Sequence, residues 1–204
     1  MQLSAEKLGK RFGQRKVFKD ISFSLQQGES LAVTGPNGSG KTTLLLTLIG
    51  LLRPSHGMRF FKENDSPLTE QGIRRRISLV APYLSLYDYL SGEENLTFFA
   101  TLGGLSLTGK ESDRILEQVG LAGRGCDLFR TYSSGMKQRL KYAVALMQRP
   151  GFLFLDEPTS NLDDDGKQIV RKVIEELREH TILVIATNEQ GEYELATKRC
   201  QLGN

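Results

Sequence analysis

The sequence predicts an α/β fold: a mainly parallel sheet core, an N-terminal antiparallel β subdomain and an inserted helical subdomain. Three observations carry this. Ser30–Thr34, Ile77–Ala81, Phe152–Leu155 and Thr181–Thr187 are largely apolar runs that alternate with helical segments, as strands of a parallel sheet covered on both faces do. Gln2–Leu8 and Ile21–Leu25 instead alternate apolar with polar residues, which marks half-buried strands. From Ser91 to about Gln148 the chain is more polar and helical, with capping-box patterns at Ser91-x-x-Glu94 and Thr108-x-x-Glu111.

Length and composition bound the possibilities. At 204 residues, 39% hydrophobic and 25% charged, the chain is expected to form one globular domain with a sizeable subdomain. A net charge of +3 is too weak to argue for nucleic acid, and is equally compatible with a slight preference for acidic lipid surfaces. Cys126 and Cys200 are isolated and read as free thiols of a reducing compartment. Met1–Lys10 lacks the apolar core of a signal peptide, and no apolar run approaches the roughly 18 residues of a membrane span. The longest apolar stretch, Leu44–Leu52, is assigned to a buried helix.

The remaining elements follow in order. Phe12, between the first two strands, taken alone reads as a core or hairpin aromatic. Gln27-Gly28 turns the chain into Ser30–Thr34. Arg53-Pro54-Ser55-His56-Gly57 breaks the pattern before a short strand at Met58–Lys62, and His56 reads as a surface turn residue. Arg74-Arg75-Arg76 reads as a solvated basic face. Tyr132–Gly135 opens a helix with Leu140, Ala143, Val144 and Met147 on one face. Asp163–Glu179 is amphipathic, with Ile169, Val170, Val173, Ile174 and Leu177 inward.

Two chemical stretches stand at strand ends, where open α/β sheets hold ligands. Gly35-Pro36-Asn37-Gly38-Ser39-Gly40-Lys41-Thr42 fits G-x-x-x-x-G-K-[ST], the phosphate-binding loop of P-loop NTPases. The glycines let backbone N–H groups curl around phosphate, Lys41 brings a point charge, and the Thr42 hydroxyl suits Mg²⁺. The helix that starts at Thr43 aims its positive dipole end at the same place. The second stretch is Asp156-Glu157, after four apolar residues. Asp156 there suits Mg²⁺ through water, and Glu157 suits orienting or deprotonating a water for attack on a γ-phosphate.

Further residues carry a family resemblance. Tyr132-Ser133-Ser134-Gly135-Met136-Lys137-Gln138-Arg139 resembles the signature of ATP-binding cassette (ABC) ATPases, usually L-S-G-G-Q-x-Q-R. Ser160-Asn161-Leu162-Asp163 resembles the family's D-loop, Glu93-Glu94-Asn95-Leu96 resembles a helical-subdomain motif, and Phe12 falls where the family stacks a ring on adenine. The resemblance covers essentially the whole chain. It implies a single domain over 1–204, with 1–81 and 150–204 as ATP-binding core and about 82–149 as helical subdomain. It implies ATP and Mg²⁺, with Phe12, residues 35–43, Ser133, Gly135 and Asp163 on nucleotide, Thr42 and Asp156 on metal, and Glu157 and Asn188 as catalytic residues. It further implies a head-to-tail dimer, homo- or heteromeric, in which Ser133 and Gly135 complete the partner's site, and separate transmembrane permease subunits. The expected location is cytoplasmic, on the inner face of the membrane.

Two positions depart from the family pattern. Its usual Gln after the strand at Ile77–Ala81 is Pro82 here, beside Tyr83, and its usual final His is Asn188. Ser134 and Met136 are milder departures. Proline offers no side-chain donor, and Asn188 cannot shuttle a proton. With Glu157 retained, slow hydrolysis is expected; the alternative is a degenerate site paired with a competent second subunit. The short length also resembles the haem-exporter ATPases of cytochrome c maturation, although that type keeps the final His. Against the transporter reading stand a soluble ABC ATPase acting on DNA or ribosomes, and a P-loop phosphotransferase, in which the signature and D-loop have no role.

Overall fold

The structure is a computed structural model that describes residues 1–194 and 196–203. Two compact units are present. The first comprises Met1–Leu79, Gly151–Glu157 and the described part of Arg178–Asn204; the second comprises Val80–Pro150 and Pro158–Leu177.

The first unit carries two sheets. Strands β1 (Gln2–Phe12) and β2 (Arg15–Gln26) form an antiparallel hairpin, extended by β4 (His56–Glu63) and β5 (Ser66–Pro67) in the order β2-β1-β4-β5. Their alternation turns Leu3, Leu8, Phe18, Leu25 and Phe61 into the core. The hairpin reaches Phe12, which is 51% exposed at its closed end and not a core aromatic. The second sheet orders β6 (Ile77–Val80), β7 (Phe152–Asp156), β8 (Ile182–Ala186), β3 (Ser30–Thr34) and β9 (Lys198–Gln201). Every residue of β3, β7 and β8 is buried, and these strands run parallel, as their continuous apolar sequences predict. Strand β9 pairs parallel with β3 at the edge. Its polar sequence Lys198-Arg199-Cys200-Gln201 gives no apolar signal, because an edge strand needs little burial.

Helix α1 (Lys41–Ile49) follows β3 and buries Leu44, Leu45 and Leu48. It is shorter than the apolar run Leu44–Leu52 suggests. Gly50 adopts φ 88° and its N–H bonds the Thr47 carbonyl, so the helix stops and Leu51 emerges 69% exposed. The basic triplet also needs correction. Arg74, at the end of α2 (Glu70–Arg74), and Arg75 are exposed, but Arg76 is half-buried and chelates Glu63 of β4 at 2.6 and 3.1 Å. Thus Arg76 ties the approach to β6 to the antiparallel sheet, where a planar guanidinium matches a carboxylate edge. His56 is exposed, as expected, but it is the first residue of β4, paired with Gly9, and not a turn residue.

Phe152 of β7 is fully buried and meets the Phe61 ring edge-on, with centroids 4.8 Å apart and planes at 84°. Phe152→Ala is expected to destabilise the chain by about 3–5 kcal/mol through lost transfer energy and a residual cavity. A urea titration checks this; a loss below about 1 kcal/mol would show that the site collapses around the gap.

The second unit is helical. Helices α3 (Gly92–Leu102) and α4 (Gly109–Gln118) both begin with complete capping boxes, as the sequence predicts. Asn95, buried, bonds the Tyr87 N–H and the Tyr87, Leu90 and Ser91 carbonyls, which fixes the loop before α3. Helix α5 (Ser134–Gln148) is buried from Leu140 through Met147, beyond the single apolar face expected, because it packs against both α3 and α4. Helix α6 (Asp164–Arg178) buries Val170, Val173, Ile174 and Leu177; Ile169 is only half-buried and lies over Gly120. In the first unit a short α7 (Gln190–Tyr193) follows β8. Among the described residues no helix is long and apolar enough to cross a membrane. Cys126 is exposed, Cys200 half-buried, and both are free thiols.

Candidate active site

Three adjacent strands end together. Val33 of β3 and Asp156 of β7 both pair with Ala186 of β8. The register therefore delivers Gly35, Glu157 and Asn188 to one edge of the sheet, where ligands of parallel sheets bind.

The loop after β3 needs glycine for a definable reason. Gly35 sits at φ 145°, and a Cβ there would strike the Leu202 carbonyl; Gly40 sits at φ 103°, and a Cβ there would strike the Val17 side chain. Helix α1 then starts at Lys41 with no side chain capping its first turn. Its leading N–H groups are thus not spent on a cap, which suits an anion. The Ser39 hydroxyl oxygen is buried without a hydrogen-bond partner. Lys41 is buried, and its ammonium donates to the Gly35 and Pro36 carbonyls at 2.8 and 3.3 Å.

The acidic strand end meets this loop. The Thr42 hydroxyl donates to Asp156 Oδ2 at 2.6 Å. A hydroxyl and a carboxylate this close are hard oxygen donors that fit Mg²⁺. Among the described residues no group of three or more His, Cys, Asp or Glu could hold a metal, so phosphate and water oxygens would complete such a shell. Glu157, exposed, has φ 47° and donates its N–H to the Ala186 carbonyl at 2.8 Å. A non-glycine residue in this conformation carries backbone strain, here at the strand end where the turn brings Glu157 onto the cavity wall. The Asn188 amide donates to Asn37 Oδ1 at 2.5 Å, joining the end of β8 to the phosphate loop.

A cavity of ≈ 520 Å³ unites Phe12, Asn37, Gly38, Gly40, Lys41, Thr42, Thr43 and Glu157, within the size range of small-ligand sites. Ser133, Gly135 and Asp163 belong to the second unit. Ser133 caps α5, accepting from the Met136 N–H at 3.2 Å. Gly135 lies in the first turn against the Asn161 carbonyl and Leu162. Asp163 accepts from the Gly166 N–H at 2.9 Å at the start of α6. The signature and D-loop segments are therefore neighbours within that unit.

Sequence reasoning missed three residues. Arg15 and Val17 of β2 line the same cavity; the hairpin length that places them beside Phe12 carries no motif. In the second unit Lys141 is buried, and its ammonium donates to the Ala81 and Pro82 carbonyls at 2.9 and 3.2 Å and to Gln138 Oε1 at 3.3 Å. Burial pushes its pKa below the ordinary lysine value. The available signal was a lone lysine inside an apolar helical run. The segment at Pro82, which lacks a side-chain donor, is thus held by its backbone.

This fold and loop define a P-loop α/β domain. The sequence model of the ABC transporter family matches residues 18–160, and the chain belongs to that family. It is 36% identical over 194 residues to the ABC transporter ATP-binding protein YdbJ of Bacillus subtilis, covering 94% of this chain and 63% of that protein. It is 34% identical over 192 residues to the linearmycin resistance ATP-binding protein LnrL of Bacillus subtilis, covering 93% and 62%. The chain thus spans about three fifths of the length of these curated relatives. Among solved structures, an ABC transporter ATP-binding protein of Pyrococcus furiosus superposes with TM-score 0.86 at 26% identity, covering 99% of this chain and 98% of that one.

Proposed function

We propose that this chain is the ATP-binding and ATP-hydrolysing subunit of an ABC transporter that acts through separate membrane-spanning subunits. The observation that carries the reading is the Thr42–Asp156 pair, beside Glu157, at the mouth of the phosphate loop. Thr42 and Asp156 would hold Mg²⁺, which when bound offsets the charge of the β- and γ-phosphates. The loop N–H groups and Lys41 bind the phosphates, Phe12 stacks on the adenine, and Glu157 takes a proton from the attacking water. Asn188 donates a hydrogen bond at the γ-phosphate without titrating. With Pro82 at the other switch position, turnover is slow.

Residues 1–81 and 150–204 form the ATP-binding core and about 82–149 the helical subdomain. Two copies, or this chain and a related one, pair head to tail, so that Ser133, Gly135 and Asp163 complete the opposite site. The open groove of ≈ 510 Å³ along α3, with Leu90, Phe98 and Leu102, supports docking of a short cytoplasmic helix of the permease. The names of YdbJ and LnrL support the transporter reading. The chain then works in the cytoplasm, on the inner face of the membrane.

The test is capture. A Glu157→Gln variant, solubilised from membranes with ATP, is expected to bring down a polytopic membrane protein. Recovery of ribosomes or DNA alone would sink the transporter reading in favour of the soluble one.

A further inference from the structure

The cavity wall between the phosphate loop and Phe12 carries a cation that the loop motif does not explain. Phe12 and Arg15 are cross-strand partners at the closed end of the β1–β2 hairpin. Arg15 and Val17 share one face of β2, since side chains alternate with period two. Val17 lies against Gly40. The sequence along this wall, from loop to hairpin tip, is therefore Gly40, Val17, Arg15, Phe12, all four facing one cavity.

Two neighbouring cations on β1 are engaged. Lys10 donates to the Arg53 carbonyl at 2.7 Å and sits over the Phe12 ring, and the Arg11 guanidinium donates to the Gly13 carbonyl at 3.0 Å. Arg15 is exposed, and among the described residues its guanidinium has no hydrogen-bond or ion-pair partner. An unpaired guanidinium with five donors fits a phosphate edge.

We propose that Arg15 is a nucleotide-binding residue whose guanidinium grips the α-phosphate. This rests on the reading that the cavity takes ATP, with its triphosphate at Gly40 and its base at Phe12. A nucleotide laid that way passes Val17 and Arg15 between those ends. The α-phosphate is common to ATP and ADP and unchanged by loss of the γ-phosphate. Arg15 therefore contributes binding that is equal for substrate and product, which sets KM and leaves kcat alone.

Calorimetric titration of the full chain with Mg-ADP and with a non-hydrolysable Mg-ATP analogue tests this. Arg15→Ala is expected to weaken both by a similar factor, about five- to twentyfold, and Arg15→Lys to restore part of the loss. Melting temperature should stay unchanged, because the side chain is exposed, and steady-state KM should rise at constant kcat. Unchanged affinity for both nucleotides would overturn the proposal. Loss confined to the ATP analogue would also overturn it, by placing the guanidinium on the γ-phosphate. A wild-type chain that binds neither nucleotide would instead overturn the ATP reading on which this rests.

Discussion

Replacement of Lys41 by alanine is expected to reduce affinity for Mg-ATP by about a hundredfold or more, and turnover at ordinary ATP concentrations to background. The reason is the position of the charge. Lys41 opens α1, and its buried ammonium reaches back to the Gly35 and Pro36 carbonyls, so it spans the concave side of the loop. Those carbonyls fix the ammonium before phosphate arrives, so little side-chain entropy is lost on binding. Alanine removes the point charge while the loop keeps the glycines its curvature needs, Gly35 at φ 145° and Gly40 at φ 103°. The substitution also leaves two carbonyls without this donor, and some loss of stability follows. Circular dichroism and a thermal melt separate this from a loss of binding: helix content should persist while nucleotide-induced stabilisation vanishes. A Lys41→Ala chain that still gains thermal stability from Mg-ATP as the wild type does would remove the loop from the site.

Much of this architecture is legible in the sequence, and the reasons differ from element to element. Strands β3, β7 and β8 announce themselves because both faces are buried, so their positions are apolar or small except Asp156 at the end of β7. The capping boxes of α3 and α4 are equally readable, because the two reciprocal hydrogen bonds need a fixed spacing. The phosphate loop is legible for the same reason, since backbone curvature demands glycine at set positions. Other features escape this logic. Strand β9 is an edge with polar residues, and its pairing is set by β3 and not by its own pattern. Arg76 reads as one of three like charges, and only the fold brings Glu63 to it. Leu44–Leu52 looks like one apolar unit, yet the single residue Gly50 ends the helix within it. Arg15 reaches the cavity through hairpin register, a tertiary property with no local signature. Lys141 is the inverse case, in which a charged residue in an apolar run marks a buried polar contact to Ala81 and Pro82.

The second large effect is expected at Glu157, and it should fall on chemistry while sparing binding. Glu157→Gln keeps the shape, the backbone turn and the N–H bond to the Ala186 carbonyl, but removes the ability to take a proton. General-base assistance is worth about 10²–10⁴ in rate, so turnover should fall at least about a hundredfold while affinity for Mg-ATP holds within about threefold. The strained φ of 47° is part of this expectation. A residue is held in the left-handed region at a cost of about 1–3 kcal/mol only when its surroundings over-determine it. The turn here brings Glu157 to the cavity that also holds Lys41 and Thr42. At the two positions that depart from the family pattern, Pro82 and Asn188, neither side chain takes up a proton near neutral pH. Pro82 presents only its carbonyl, which Lys141 engages, and Asn188 is bonded to Asn37 and cannot carry a proton. On the proposed reading the burden of activating water falls on Glu157, and its replacement should leave an ATP-bound state that persists long enough to isolate. Single-turnover hydrolysis alongside ATP binding measures both sides of this. If wild type hydrolyses ATP and the glutamine variant matches it within about threefold, the base lies elsewhere. If wild type shows no turnover above the variant, the site is degenerate, and a second, competent subunit must supply the hydrolysis.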